Sequence, residues 1–234
     1  MADPQIEKLL VVQDRDTKVR KIEQELARLP KERAELENRI ASEQEEIGAA
    51  AEALKAKEVE RNELDAEVQS KEAAIKRFRN QQLEVKKNDE YRALTHEIEQ
   101  AQAAIADLEE REIGLMLEID TARGTYESEK ARIEERIAGE RERIAKLDER
   151  AANLESAAGE ARAELEKARG DVDPEYLRHY DRVKQIAKRP PFVVPVEDHK
   201  CGGCHLRVSN EVSRGAVESG EPHFCDQCAR MVYA

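Results

Sequence analysis

The chain has 234 residues, of which 39% are charged, 39% hydrophobic and 3% aromatic, with no Trp and a formal net charge of −12. An ordinary globular domain carries roughly 25% charged and roughly 45–50% apolar residues, which argues against one compact core of this length and against a globular enzyme built on it. The excess is Ala, Glu, Lys, Arg, Leu and Ile rather than Pro and Ser, so a mean hydropathy of −0.81 points to long helices and not to disorder.

No uncharged apolar run approaches the roughly 18 residues of a membrane span, and Met1-Ala-Asp-Pro-Gln5 has neither a basic nor an apolar leader region. A soluble, cytoplasmic protein without membrane contact is expected. Charge is uneven: residues 171–234 hold 10 acids and 9 bases, which leaves 42 acids and 31 bases in residues 1–170. Residues 71–92 run against that trend, with seven bases and four acids.

In the first half, Val12, Val19, Leu26, Ile40, Ile47, Leu54, Val68 and Ile75 follow a seven-residue spacing. Ile22, Leu29, Leu36, Ala50, Leu64, Phe78 and Val85 form the complementary series. A register held this long predicts a coiled coil rather than the wider stripe of a globular helix. Arg33, Glu43, Lys57, Arg61 and Lys71 fall in the same seam, where polar residues weaken packing and fix register. Pro30 should interrupt the helix near Leu29, because an interior proline removes a hydrogen bond and clashes with the preceding turn.

The second half repeats the seam from Tyr91 and Leu94 through Ile98, Ile105, Leu108, Leu115, Ile119 and Tyr126 to Leu165, with an extra four-residue step at Ile133 and Ile137 that predicts local unwinding. Lys86-Lys-Asn-Asp-Glu90 breaks the register, and Asn88 or Asp89 can cap a new helix. Segments of about 5–86 and 89–169 are nearly equal, so the seams bury each other if the chain folds back into an antiparallel hairpin about 120 Å long at 1.5 Å per residue. One uninterrupted helix in a parallel dimer is the other arrangement. The fold class expected is therefore mainly α: a coiled-coil hairpin over 1–170 with its tip near 86–90, a short helix and connector over 171–191, and a small β zinc ribbon over 192–234. Asp173 before Pro174 caps the short helix, which runs to about Ala187, and Phe192-Val-Val-Pro-Val196 reads as a strand.

Cys201-x2-Cys204 and Cys225-x2-Cys228 form two knuckles twenty residues apart, which together offer four thiolates for a tetrahedral structural zinc with no open position for catalysis. Gly202 and Gly203 let the first knuckle turn. Cys201-Gly-Gly-Cys-His205 is formally a haem-attachment sequence, but that use needs export and orphans the second pair. Iron suits the same cage, and a thiol redox role lacks its βαβ context. The doubled knuckle favours one structural zinc, with His199, His205 and His223 as flanking residues and His205 as a substitute ligand in the minor alternative.

Together, the segment Val85-Lys-Lys-Asn-Asp-Glu-Tyr-Arg-Ala-Leu94 with Glu97-Ile98, the two knuckles and the ending Arg230-Met-Val-Tyr233 resemble a bacterial family in which a two-helix coiled coil precedes a four-cysteine zinc ribbon. Ala229 stands where that family commonly has Gly. The resemblance implies a nucleic-acid-binding or transcription-associated protein, some relatives being linked to an alternative sigma factor and flagellar gene control.

From the residues themselves, Lys76, Arg77, Arg79, Lys86, Lys87 and Arg92 at the tip are candidate contacts to phosphates or to a partner, against the plainer reading of a solvated charge run. With a pI of about 5.1, such binding has to be local. The expected function is a non-enzymatic adaptor that contacts RNA, DNA or the transcription machinery. The alternative is a protein-only chaperone or scaffold that grips a client such as a sigma factor along the coiled coil. No nucleophile–base constellation or phosphate loop is present, and no small-molecule substrate is expected.

Overall fold

The computed structural model describes residues 3–217 and 220–234. Met1 and Ala2 of the expected hairpin, and Glu218 and Ser219 of the expected ribbon, lie outside them. A long helical hairpin is followed by a small sheet that carries the four cysteines.

Helix α1 (Pro4–Leu26) starts at Asp3, whose side chain accepts from the Gln5 N–H at 2.8 Å, with Pro4 in the first turn. It stops at Ala27-Arg28, and α2 (Leu29–Glu84) begins at once. Pro30 is the cause: it has no N–H to give to the Leu26 carbonyl, so the helix cannot run through. Pro30 falls instead in the first turn of α2, where the missing donor has no helical partner to lose. Lys31 and Glu32 both donate to the Arg28 carbonyl, at 3.1 and 3.2 Å, and restart the ladder. The interruption expected near Leu29 is thus a two-residue joint just before it.

Residues 85–87 join α2 to α3 (Asn88–Gly170). Asn88 and Asp89 are first-turn residues of α3 rather than its cap, and the Lys87 carbonyl accepts from the Tyr91 N–H at 3.1 Å. Asp89 and Glu90 place negative charge where the helix dipole is positive.

Two compact units divide the chain, Glu35–Arg143 and Met1–Ala34 with Ile144–Ala234. Within the first, α2 and α3 pack along the expected seam. Leu64, Val68, Leu108, Leu115 and Ile119 form one buried cluster, with Leu54 and Ile105 against it, and Ile75, Ile98, Ile133 and Ile137 are also buried. The polar seam residues reach across the hairpin: Arg136 donates to Glu43 at 2.7 Å, and Lys57 donates to Glu118 at 2.5 Å. Two seam positions differ from expectation. Ala50 is exposed, because Ala50, Ala53 and Ala122 are too short to close the seam beside Tyr126 and leave a groove of about 340 Å³. Tyr91 is 50% exposed, beside the turn at 85–87.

In the second unit, α1 packs with α4 (Pro174–Ala187) and a four-stranded sheet of β1 (Val193–Glu197), β2 (Lys200–Cys201), β3 (His223–Phe224) and β4 (Met231–Tyr233). The strand order is β2-β1-β4-β3, with β1 and β4 parallel and the outer pairs antiparallel. A short helix α5 (Asn210–Gly215) lies between β2 and β3. The Asp173 side chain caps α4 by accepting from the Glu175 N–H at 2.8 Å. That helix turns Tyr176, Tyr180 and Val183 into a core shared with Ile6, Leu9 and Val12 of α1 and with Phe192, Val193 and Met231.

Polar side chains of α1 complete that junction. The Gln13 Oε1 accepts from the Phe192 N–H at 2.5 Å and the Val193 N–H at 2.7 Å, while its Nε2 donates to the Val193 carbonyl at 3.0 Å. One amide therefore pairs the start of β1, which β2 leaves uncovered because it reaches only Val196 and Glu197, much as a neighbouring strand would. Tyr180 donates to Asp16 at 3.2 Å, Lys184 donates to the same carboxylate at 2.7 Å, and Arg169 grips Asp181 through two bonds of 3.0 and 2.8 Å.

Candidate metal centre

The first knuckle hangs on the turn between β2 and residue 206. The Cys201 N–H donates to the Leu206 carbonyl at 3.0 Å and the His205 N–H to the Cys201 carbonyl at 2.8 Å. The second repeats the device: Cys225 N–H to Arg230 carbonyl at 2.8 Å, Ala229 N–H to Cys225 carbonyl at 2.9 Å. In each, the residue after the second cysteine has a left-handed backbone, with φ of 60° at His205 and 57° at Ala229. A glycine would adopt this backbone freely at either position, and Ala229 carries strain of about 1–2 kcal/mol. Ala229→Gly is expected to stabilise the ribbon by about 1 kcal/mol, read as a higher thermal midpoint. An unchanged or lower midpoint contradicts the strain.

Gly202 and Gly203 serve a different purpose from the one expected. Neither has a positive φ; a Cβ on Gly203 would lie 2.4 Å from Arg230 Cδ, and one on Gly202 would lie 3.0 Å from the Pro195 carbonyl oxygen. They are small because β1 and Arg230 pass directly against the knuckle.

The four sulfurs lie within 4.8 Å of one another, with Cys201 to Cys228 and Cys204 to Cys225 both at 3.8 Å. A disulfide requires about 2.05 Å, so all four are free thiols. A tetrahedral ion with metal–sulfur bonds near 2.3 Å needs sulfur edges of about 3.8 Å, the length of these two edges. The cage could hold a metal ion, and none of the three flanking histidines is part of it.

The thiols differ in acidity. Burial pushes Cys225 up to about 12 and also raises Cys204. Burial acts upward on Cys228 too, but hydrogen bonds from the Arg230 backbone and side chain and from Cys204 and Cys225 outweigh it and bring that thiol to about 7. Metal entry must therefore expel the protons that Cys204 and Cys225 hold.

Arg230 is the contributor that sequence reading missed. Its Nε donates to the Pro191 carbonyl at 2.7 Å and its guanidinium to the Arg189 carbonyl at 3.3 Å, tying the second knuckle to the connector. Asp226, inside the second knuckle, accepts from the Ser209 N–H at 3.1 Å and steadies the start of α5, where Ser209 is the cap.

The same fold is found in solved bacterial proteins. CT398 of Chlamydia trachomatis superposes with a TM-score of 0.83 at 20% identity, over 98% of this chain and 97% of that one. A Mycobacterium smegmatis structure gives 0.70 at 19%, over 100% and 99%, and HP0958 of Helicobacter pylori gives 0.54 at 19%, over 100% and 98%. No family model matches the sequence, and no curated protein does. At such identities the likeness is one of fold.

The six tip cations are all exposed. Lys76 and Arg79 share a groove of about 510 Å³ with Glu72, Ile75, Asn80 and Gln102. Arg77 lies over the Phe78 ring, 5.4 Å from its centroid, and Lys87 pairs with Glu90 at 3.2 Å. Lys86 sits in the connection and Arg92 in α3. The tip thus gathers two of the six into one groove and spreads the others. Among the described residues no helix is long and apolar enough to cross a membrane.

Proposed function

We propose that this chain is a non-enzymatic adaptor whose head is ordered by one structural zinc and whose tip and head contact nucleic acid or the transcription machinery. The observation that carries the zinc assignment is the pair of 3.8 Å sulfur edges in a closed four-thiolate cage. Four sulfurs saturate a tetrahedral ion, so it would brace the fold and leave no site for substrate. The contact reading is supported by the Lys76–Arg79 groove, where an exposed cation pair stands beside a shallow hollow. A second hollow of about 300 Å³, lined by His179, Arg182, Ile186, Phe224 and Asp226, adjoins the second knuckle.

Substituting all six tip cations by Ala is expected to abolish retention of single-stranded RNA and duplex DNA, and to flatten the fall of affinity with salt, since each neutralised phosphate contributes to that slope. Absence of binding by the native chain at low salt removes the nucleic-acid reading. The exposed apolar side chains of Ile113, Met116 and Leu117 favour a second reading, in which a client such as a sigma factor docks along the hairpin. Retention of a purified sigma factor, weakened by Leu117→Glu, would support it, and no retention would remove it.

A further inference from the structure

Within Glu35–Arg143 the seam between α2 and α3 is not uniform. Among the described residues, no side chain of α2 in 35–63 is buried, and none of α3 between Ile119 and Ile133. On the tip side of this gap stands the cluster of Leu64, Val68, Leu108, Leu115 and Ile119, and on its other side stand Ile133 and Ile137. The groove of about 340 Å³ lies in the gap and shows which levels face each other: Ala50, Ala53 and Lys57 line it from α2, and Ala122, Thr125 and Glu129 from α3. Side chains around such a space forfeit the contacts that hold a packed seam together. Polar clasps mark its edges. Lys57 donates to Glu118 and Arg123 to Glu58, at 2.5 and 2.6 Å, on the tip side, and Arg136 donates to Glu43 at 2.7 Å on the other. Between these clasps no ion pair joins the two helices among the described residues.

Each helix is also weakened here on its own account. Thr121, Thr125 and Ser128 donate their hydroxyls to the carbonyls of Leu117, Thr121 and Thr125, at 2.9, 3.0 and 2.9 Å. Such bonds compete with the helix ladder and bend it. Gly48 and Gly124 fall at the same levels, a Cβ on either would meet nothing within 4 Å, and neither has a positive φ. No contact and no backbone angle asks for glycine at these two positions, so its effect is a helix that yields more readily. Gly114 and Gly139 are equally open but stand close to the buried Leu115 and Ile137, so glycine alone does not mark the place. The extra four-residue step at Ile133 and Ile137 ends the gap, and a step of that kind eases a supercoil.

We infer that residues 48–57 of α2 and 121–130 of α3 form an elbow, a paired segment that opens as one unit while the seam on either side stays packed. A two-helix hairpin bends only where both helices yield at the same level, and this is the level at which missing burial, back-bonded hydroxyls and unneeded glycines coincide. The elbow lets the tip-side part of the hairpin swing about it. It stands apart from the nucleic-acid and client readings and is measured without either partner.

Amide hydrogen exchange of the native full chain, read by mass spectrometry, is expected to show protection about tenfold or more lower in both segments than in residues 64–75 and 105–119. Ala50 is exposed at the groove, so Ala50→Leu should fill the space without disturbing the fold and raise protection in the elbow about tenfold. The decisive reading is taken across the hairpin. Ala50→Leu and Gly48→Ala, both on α2, should raise protection in residues 121–130 of α3, and Gly124→Ala should raise it in residues 48–57 of α2. Gly114→Ala, inside the packed stretch, should leave both segments as they are. Uniform protection along α2 and α3 overturns the elbow. So does a change confined to the helix that carries the substitution, which is independent fraying, or a Gly114→Ala variant that protects the elbow as much as the others do.

Discussion

Replacing Cys225 by serine is expected to unfold the ribbon around the cage while leaving the hairpin helical. Among the described residues the cluster around the knuckles has only Val194, Cys201, Val208, Ala216, Cys225 and Val232 as buried members, and two of those six are cysteines of the cage. So small a core supplies little stability of its own, whereas a structural zinc in a four-cysteine site contributes about 10–16 kcal/mol of apparent binding energy. A serine hydroxyl is a poor donor to a thiophilic ion, so one substitution forfeits most of that. The loss should be graded. Strands β1 and β4 are also held by Phe192, Val193 and Met231 in the core shared with α1 and α4. Strands β2 and β3 and helix α5 depend mainly on the cage. Amide hydrogen exchange should therefore lose protection first and most completely at Lys200–Cys201 and His223–Phe224. A chelator on the native chain should reproduce the pattern. Unchanged protection at those strands would show that the ribbon stands without metal.

Tyr180→Ala is expected to destabilise the head by about 3–5 kcal/mol, the cost of removing a fully buried aromatic from a packed core. Tyr180 has no exposed surface, meets Phe192 edge-on with ring centroids 5.7 Å apart, and joins α4 to α1 through Asp16. Tyr180→Phe keeps the packing and removes only the hydroxyl, whose net contribution is about 1 kcal/mol; Asp16 then retains its bond from Lys184. The contrast between the two variants in urea unfolding separates packing from hydrogen bonding. If both cost the same, the aromatic body is not what holds the head. The Tyr180 phenol is raised well above its ordinary range, chiefly by burial and then by the Asp16 charge, so it stays neutral and donating across the physiological range.

The hairpin was legible because a seven-residue spacing leaves few choices for which side chains are buried. Leu64, Val68, Leu108, Leu115 and Ile119 stand in the seam positions the spacing assigns. Pro30 was legible for a covalent reason, the absent N–H, and its effect falls at the two residues just before Leu29. Asp173-Pro174 and the Cys-x2-Cys pairs were likewise local signals, read without knowledge of the rest of the chain. What escaped was long-range. The Gln13 amide pairs a strand 180 residues away, and nothing in the neighbourhood of Gln13 marks it. Asp16, Asp3 and Arg230 also act on distant segments, and the core that unites α1, α4 and the sheet has no periodic signature. Gly202 and Gly203 were correctly singled out for the wrong reason: proximity to Pro195 and Arg230, not backbone turning, demands their size.

These departures share a cause. Periodicity encodes which face of a helix is buried, while the head is assembled from short elements whose partners are set by tertiary packing. The unequal strength of the two signals explains why the head's contacts, and not the hairpin's, had to come from the structure.

The central claim is that a saturated four-thiolate metal site orders this head. Elemental analysis of the purified chain, with the Cys225→Ser variant as control, tests it most directly. One zinc per chain in the native protein and a large loss in the variant is the expected result. A native chain that is folded without metal, or that carries iron, would contradict it.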